Sequence, residues 1–195
     1  MTARVAAACW LVAGLVYLGF EAIAAAARPG YRYAVNFISD LGRPDSPLSA
    51  VMNTAFAAQG TLFLAAALTL TRAGRARGAW KFVACAAANA VGNVVVALVP
   101  SGGAGIAWVH VTAATVAIVG GNAAILAGHG RVSETPWYGR TSVGLATLGL
   151  LAFLVLAVGA VTTSTVLLPG AVWERASVYT IIGWQLMSAL VLVRR

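Results

Sequence analysis

The chain has 195 residues, 61% of them hydrophobic and only 9% charged, where an ordinary soluble domain carries about 25% charged residues. So little polar side chain cannot clothe a water-exposed surface, which excludes a soluble globular domain and makes a bilayer the natural solvent. The formal charge of +8 does not point to nucleic acid, because the basic residues gather at the ends of apolar segments, as membrane-topology signals do.

The first apolar stretch runs from Val5 to Ala27. It is longer than the apolar region of a secretory signal and lacks a clean cleavage motif, so no removable signal peptide is expected. Cys9 lies in it and Cys85 in the third stretch; neither has a CxxC partner, and both read as buried small hydrophobes. The polar segment "YRYAVNFISDLGRPDSP" (Tyr31–Pro47) follows. Residues 28–47 are expected to form an outer loop that Tyr31, Tyr33, Val35, Phe37, Ile38 and Leu41 hold against the membrane. A lid or short interfacial helix ending near Gly42 is the expected form. Ser46-Pro47 reads as the N-cap and first-turn proline of the second stretch, Leu48–Leu70. The third, Trp80–Val99, ends on the tight turn "PSGGAG" (Pro100–Gly105), and the fourth covers Ile106–Ala127. Thr135-Pro136 repeats the Ser-Pro device ahead of the fifth, Val143–Leu167, and Val172–Val193 is the sixth. The fold class is therefore all-α: one polytopic bundle of six transmembrane helices spanning residues 1–195.

If the six alternate in direction, Arg4, Arg72, Arg75, Arg77, Lys81, Arg131, Arg140, Arg194 and Arg195 share one side. Arg28, Arg32, Arg43 and Arg175 take the other, with Asp40, Asp45 and Glu174. The positive-inside rule then places both termini in the cytoplasm and residues 28–47 outside, in a cell inner membrane. Trp80, Trp108, Trp137, Trp173, Tyr31, Tyr33 and Tyr138 fall near the water–lipid boundaries, where amphipathic rings sit.

Polar residues recur at one depth. At about 1.5 Å rise per residue, Glu21, Asn53, Asn93 and His110 each lie roughly 8–10 Å below the outer boundary. Glu174 and Arg175 open the sixth helix slightly higher, and Asn36, Ser39 and Asp40 lie in the loop above. Ionisable groups at such depth seldom face lipid; they face one another or a wet cavity. An outward polar pocket roofed by Tyr31–Pro47 is therefore predicted, with Asn89 and Asn93, one turn apart, lining its floor and wall. Gln59, Asn122 and Gln185 sit deeper and read as interhelical hydrogen bonds. Each member also has a structural reading: a buried Glu21–Arg175 ion pair, packing amides, Asp40 as a cap, His110 as a satisfied membrane histidine, Glu174 complementing a helix N-terminus.

Four fragments in order carry a resemblance: "NFISDLG" (Asn36–Gly42), Asn53, "VPSGGAGIAWVH" (Val99–His110) and "GAVWERAS" (Gly170–Ser177). They resemble the bacterial and archaeal membrane family catalogued as domain of unknown function 998, itself distantly similar to the damage-regulated autophagy modulator family. Ala171 and Val172 depart from the glycine and leucine frequent at those positions of the family. The resemblance implies a six-helix membrane protein and lends no activity.

Two functions fit the residues. In the first, the pocket binds a lipid head group or small amphiphile for transport or lipid organisation. Its contacts would be Asn36, Ser39, Asp40, Asn53, Asn89, Asn93, His110, Glu174 and Arg175, with the arginine holding an anionic head. In the second, a membrane-embedded enzyme hydrolyses or does acid–base chemistry on a lipid or polyprenyl substrate, with Ser39, Asp40, His110 and Glu21 as candidate catalytic groups. No GxSxG elbow accompanies them, and adjacency of Ser39 and Asp40 is not a triad. No metal or cofactor is expected: His129 falls on the side opposite His110, and "GRARG" lacks phosphate-loop spacing. No filter-like motif marks a channel. Membrane lipids and a small amphiphile are the expected partners, and nothing in the sequence fixes an oligomeric state.

Overall fold

A computed structural model describes residues 2–72, 79–102 and 106–194. Its six α-helices are α1 (Thr2–Ala27), α2 (Ser49–Arg72), α3 (Ala79–Leu98), α4 (Ala107–Val132), α5 (Pro136–Thr162) and α6 (Gly170–Val193), with one 3₁₀ turn at Ile38–Gly42. All six are long and apolar enough to cross a membrane. Helices suit that solvent because each satisfies its backbone hydrogen bonds within itself. Arg75, Arg77, Arg195 and part of the Pro100–Gly105 turn lie outside the described residues.

Helix ends differ from hydropathy where local chemistry decides them. α5 starts at Pro136, not Val143, because its polar first turns find partners inside the bundle: the Tyr138 hydroxyl meets Ser188 Oγ at 2.7 Å, and Trp184 Nε1 donates to Ser142 Oγ at 3.0 Å. α5 stops at Thr162, ahead of a left-handed Thr163 (φ 53°). Ser46 does not cap α2: the helix begins at Ser49, a turn at Ser46–Ser49 precedes it, and the Ser46 hydroxyl is buried without a partner.

Helices approach closely where residues are small, the usual basis of packing in lipid. A Cβ on Gly60 would sit 2.8 Å from Ala90 Cα, and one on Gly92 would sit 2.5 Å from both Ala113 O and Ala117 N. One core cluster sets Trp10 edge to face on Trp184, with Phe63 tilted against both and Phe82 and Tyr138 beside them. A second packs Tyr17, Met52 and Phe56 under Ile38 and Leu41 of the 3₁₀ turn. α5 is the least buried span, and its Leu148, Leu151 and Leu154 are exposed.

Candidate functional site

The segment between α1 and α2 folds down over the bundle. Ile38 and Leu41, two of the residues expected to hold the loop down, are 1% and 0% exposed, whereas Phe37 turns outward at 39%. Its polar atoms are tied on several sides. Ile38 N–H donates to Glu174 Oε2 at 2.6 Å, Asn53 Nδ2 donates to Gly42 O at 3.0 Å, and Ser101 Oγ donates to Ser39 O at 3.1 Å. Arg28 donates to the Asp40 carbonyl. The Asp40 carboxylate accepts from Phe37 N–H at 2.9 Å, which makes it the cap of the 3₁₀ turn, and Asn36 Oδ1 accepts from Arg32 N–H at 2.9 Å.

Arg175 is the centre of this fastening. Its Nη1 donates to Tyr33 O at 2.6 Å and Asn36 O at 2.7 Å, and its Nη2 donates to the Tyr31 hydroxyl. Its Nε lies 3.3 Å from Glu21 Oε1, and the guanidinium stands 4.9 Å from the Tyr33 ring centroid. Tyr179, one turn along α6, donates to Glu21 Oε2 at 2.8 Å. Burial pushes the Tyr31 and Tyr33 phenols above their ordinary range, so both stay neutral, and Tyr31 both accepts from Arg175 and donates to Phe37 O. Nearer the surface, the Arg43 guanidinium holds the Asp45 carboxylate below its usual range.

Beside this latch is a cavity of about 50 Å³. Its polar lining is Ser39, Gln59, Asn89, Asn93, His110 and Glu174, drawn from the lid, α2, α3, α4 and α6; Tyr17, Phe56, Val96 and Val178 are among its apolar walls. His110 Nδ1 lies 2.7 Å from Val99 O. A carbonyl only accepts, so Nδ1 carries a proton, and in the neutral ring Nε2 is then the acceptor. Asn89 Nδ2 donates to Ala117 O at 2.7 Å, and Asn93 Nδ2 donates to Asn89 O at 2.9 Å.

The sequence-predicted residues therefore divide. Ser39, Asn89, Asn93, His110 and Glu174 share the cavity. Glu21 and Arg175 do not line it, so the expected convergence of Glu21, Asn53, Asn93, His110 and Arg175 in one pocket is corrected to two neighbouring sets. Asn36, Asp40 and Asn53 are likewise outside its lining and serve the lid's backbone. Arg175 donates to lid carbonyls and Asp40 caps the 3₁₀ turn, and neither lines the cavity. Gln59, read as interhelical glue, does bond Gln185 at 2.5 Å, yet it also lines the cavity. Asn122 bonds Ser177 O and Thr180 deeper in the bundle. Tyr17 and Tyr179 went unnoticed, although each stands one helical turn from a predicted residue, Glu21 and Arg175 respectively. Among the described residues, no three His, Cys, Asp or Glu side chains group to hold a metal ion.

Set against known proteins, residues 11–191 match the family model described as "Protein of unknown function (DUF998)". No curated protein and no solved structure matches the chain.

Proposed function

Because this chain belongs to the DUF998 family, a membership that carries no activity with it, we propose from its geometry that it is a multi-pass membrane protein receiving the head of a lipid or small amphiphile in the cavity beneath the lid. The cavity's composition carries the reading. Asn89 Oδ1 and Gln59 Oε1, on residues only 2% and 3% exposed, have no hydrogen-bond partner. A buried acceptor left this way costs about 1–3 kcal/mol. A guest with a polar head and an apolar body would satisfy those atoms while its chain packs on Phe56 and Val178. Transport or lipid organisation is the consequence we assign to such binding. The same reading puts the lid outside and both termini in the cytoplasm of a bacterial inner membrane, on the side of the greater basic charge.

A second reading has one observation in its favour: Ser39, His110 and Glu174 line the same cavity, and His110 has its Nε2 free of the Val99 contact. Ester hydrolysis would then use Ser39 as nucleophile and His110 as base, with Glu174 in place of Asp40 as the nearby carboxyl group.

Mass spectrometry of lipids retained by the protein in mild detergent tests both. Wild type should carry a discrete amphiphile, and His110→Ala and Asn93→Ala should lose it while still eluting as folded protein. Retention of the wild-type complement by both variants sinks the binding reading. Chain-shortened or hydrolysed product that accumulates with wild type and vanishes in Ser39→Ala favours the enzyme instead.

A further inference from the structure

We infer that the head this cavity takes is a compact hydrogen-bond donor, a primary ammonium or a hydroxyl, and not an anion; the inference rests on the amphiphile-binding reading above. The polarity of the lining is set by the backbone. His110, Asn89 and Asn93 each turn a donor nitrogen to a main-chain carbonyl, of Val99, Ala117 and Asn89 respectively. Those partners cannot donate, so the assignment of nitrogen and oxygen in both amides follows from the partners themselves. What the histidine and the two asparagines leave over is His110 Nε2 and two amide oxygens, all acceptors, beside the Ser39 and Tyr17 hydroxyls, which can donate or accept. Gln59 differs: it pairs amide to amide with Gln185, so the partner does not fix which of its two polar atoms is left over. Glu174 adds a carboxyl group whose Oε2 already accepts from Ile38 N–H.

Charge and size agree. No arginine or lysine lines the cavity among the described residues, and the nearby Arg175 guanidinium is held by Tyr33 O, Asn36 O and the Tyr31 hydroxyl. A phosphate would meet the Glu174 carboxyl and a preponderance of acceptors, with two hydroxyls as its donors and no counter-charge. A volume of about 50 Å³ admits a few groups the size of a water molecule, at roughly 10–15 Å³ each. An ammonium or hydroxyl is that small, and the apolar walls accept the first carbons of its chain.

Amphiphiles with one chain and different heads separate the possibilities: dodecylamine, dodecanol and dodecyl phosphate, titrated into the full chain in lipid nanodiscs, with the thermal midpoint as readout. At neutral pH the amine is protonated, as a lysine is. The amine and the alcohol should raise the midpoint saturably, and the phosphate should not at the same concentration. His110→Ala should weaken both by about tenfold, the loss of one hydrogen bond. Glu174→Gln should weaken the amine by at least about tenfold and leave the alcohol within about threefold, a charge-assisted bond being the stronger. If the phosphate binds as tightly as the amine and still depends on His110, the head class is wrong while the cavity remains a binding site. If none of the three binds, or if His110→Ala changes none of them, the amphiphile reading itself is overturned. Where His110→Ala does not fold, Asn93→Ala supplies the same comparison.

Discussion

Replacing Arg175 by methionine tests whether the lid is latched as described. Methionine fills much of the same space but removes the donors to Tyr33 O and Asn36 O, at 2.6 and 2.7 Å, and the ion pair to Glu21 at 3.3 Å. The side chains of Arg175 and Glu21 are 8% and 2% exposed, so solvent screens them little. Removing one member of a buried pair costs about 3–5 kcal/mol, chiefly because the other is left alone. That is a large part of a total stability of about 5–15 kcal/mol. At roughly 2–4 °C per kcal/mol for a chain of this size, the midpoint should fall by on the order of 10 °C. Glu21→Gln added to Arg175→Met removes the stranded carboxylate and should recover about 1–3 kcal/mol, a coupling measurable by a double-mutant cycle. Trypsin added from the lid side gives a local readout. Arg28 and Arg43 both precede proline, which leaves Arg32 as the cleavable bond of the lid. Cleavage there should be slow in wild type and fast in Arg175→Met, even below the unfolding midpoint. The reasoning fails if the single variant loses less than about 1 kcal/mol and keeps Arg32 protected, or if the double variant is no more stable than the single.

Two further predictions concern packing and orientation. Gly92→Ala would press a methyl against backbone atoms 2.5 Å away on α4, which cannot yield, and should lower stability by about 1–3 kcal/mol. Gly19→Ala and Gly183→Ala meet nothing within 4 Å and should gain about 0.5–1 kcal/mol from helix propensity; equal midpoint shifts at the three sites would show that the close α3–α4 approach does not matter. Cysteines at the exposed Asp45 and Thr163 should react with an impermeant reagent on intact cells, and one at exposed Glu134 only after permeabilisation. The reverse pattern would invert the orientation.

Hydropathy read the helix interiors well because lipid-facing and core positions are both apolar, so little besides length matters there. It misplaced the start of α5 because Tyr138 and Ser142 are polar on the page and satisfied in the fold, by Ser188 and Trp184 from α6. The polar cluster was legible in one dimension only. Rise per residue gave the common depth of Glu21, Asn93 and His110, but depth carries no azimuth. Glu174 and Arg175 show the consequence. Successive helical residues point about 100° apart, so the pair cannot address one point: Glu174 borders the cavity, while Arg175 reaches Glu21 and the lid carbonyls. The pairs Tyr17 with Glu21 and Arg175 with Tyr179, each four residues apart, carry that azimuth in the sequence.

What no spacing rule conveys is the lid's dependence on main-chain atoms. Asn53 holds Gly42 O, Ser101 holds Ser39 O, and Arg175 holds the carbonyls of Tyr33 and Asn36. None of these bonds uses the side chain of the lid residue it restrains. The physical need is plain: a non-helical segment lying against an apolar bundle exposes carbonyls that have no water to turn to. The polar residues of α2, α3, α4 and α6 answer two separate demands. Those facing the lid supply donors to its carbonyls. Of those facing the cavity, Asn89, Asn93 and His110 give their donors to helical or turn carbonyls. Both sets donate to main-chain carbonyls, and which carbonyl each one holds, the lid's or the bundle's, tells them apart.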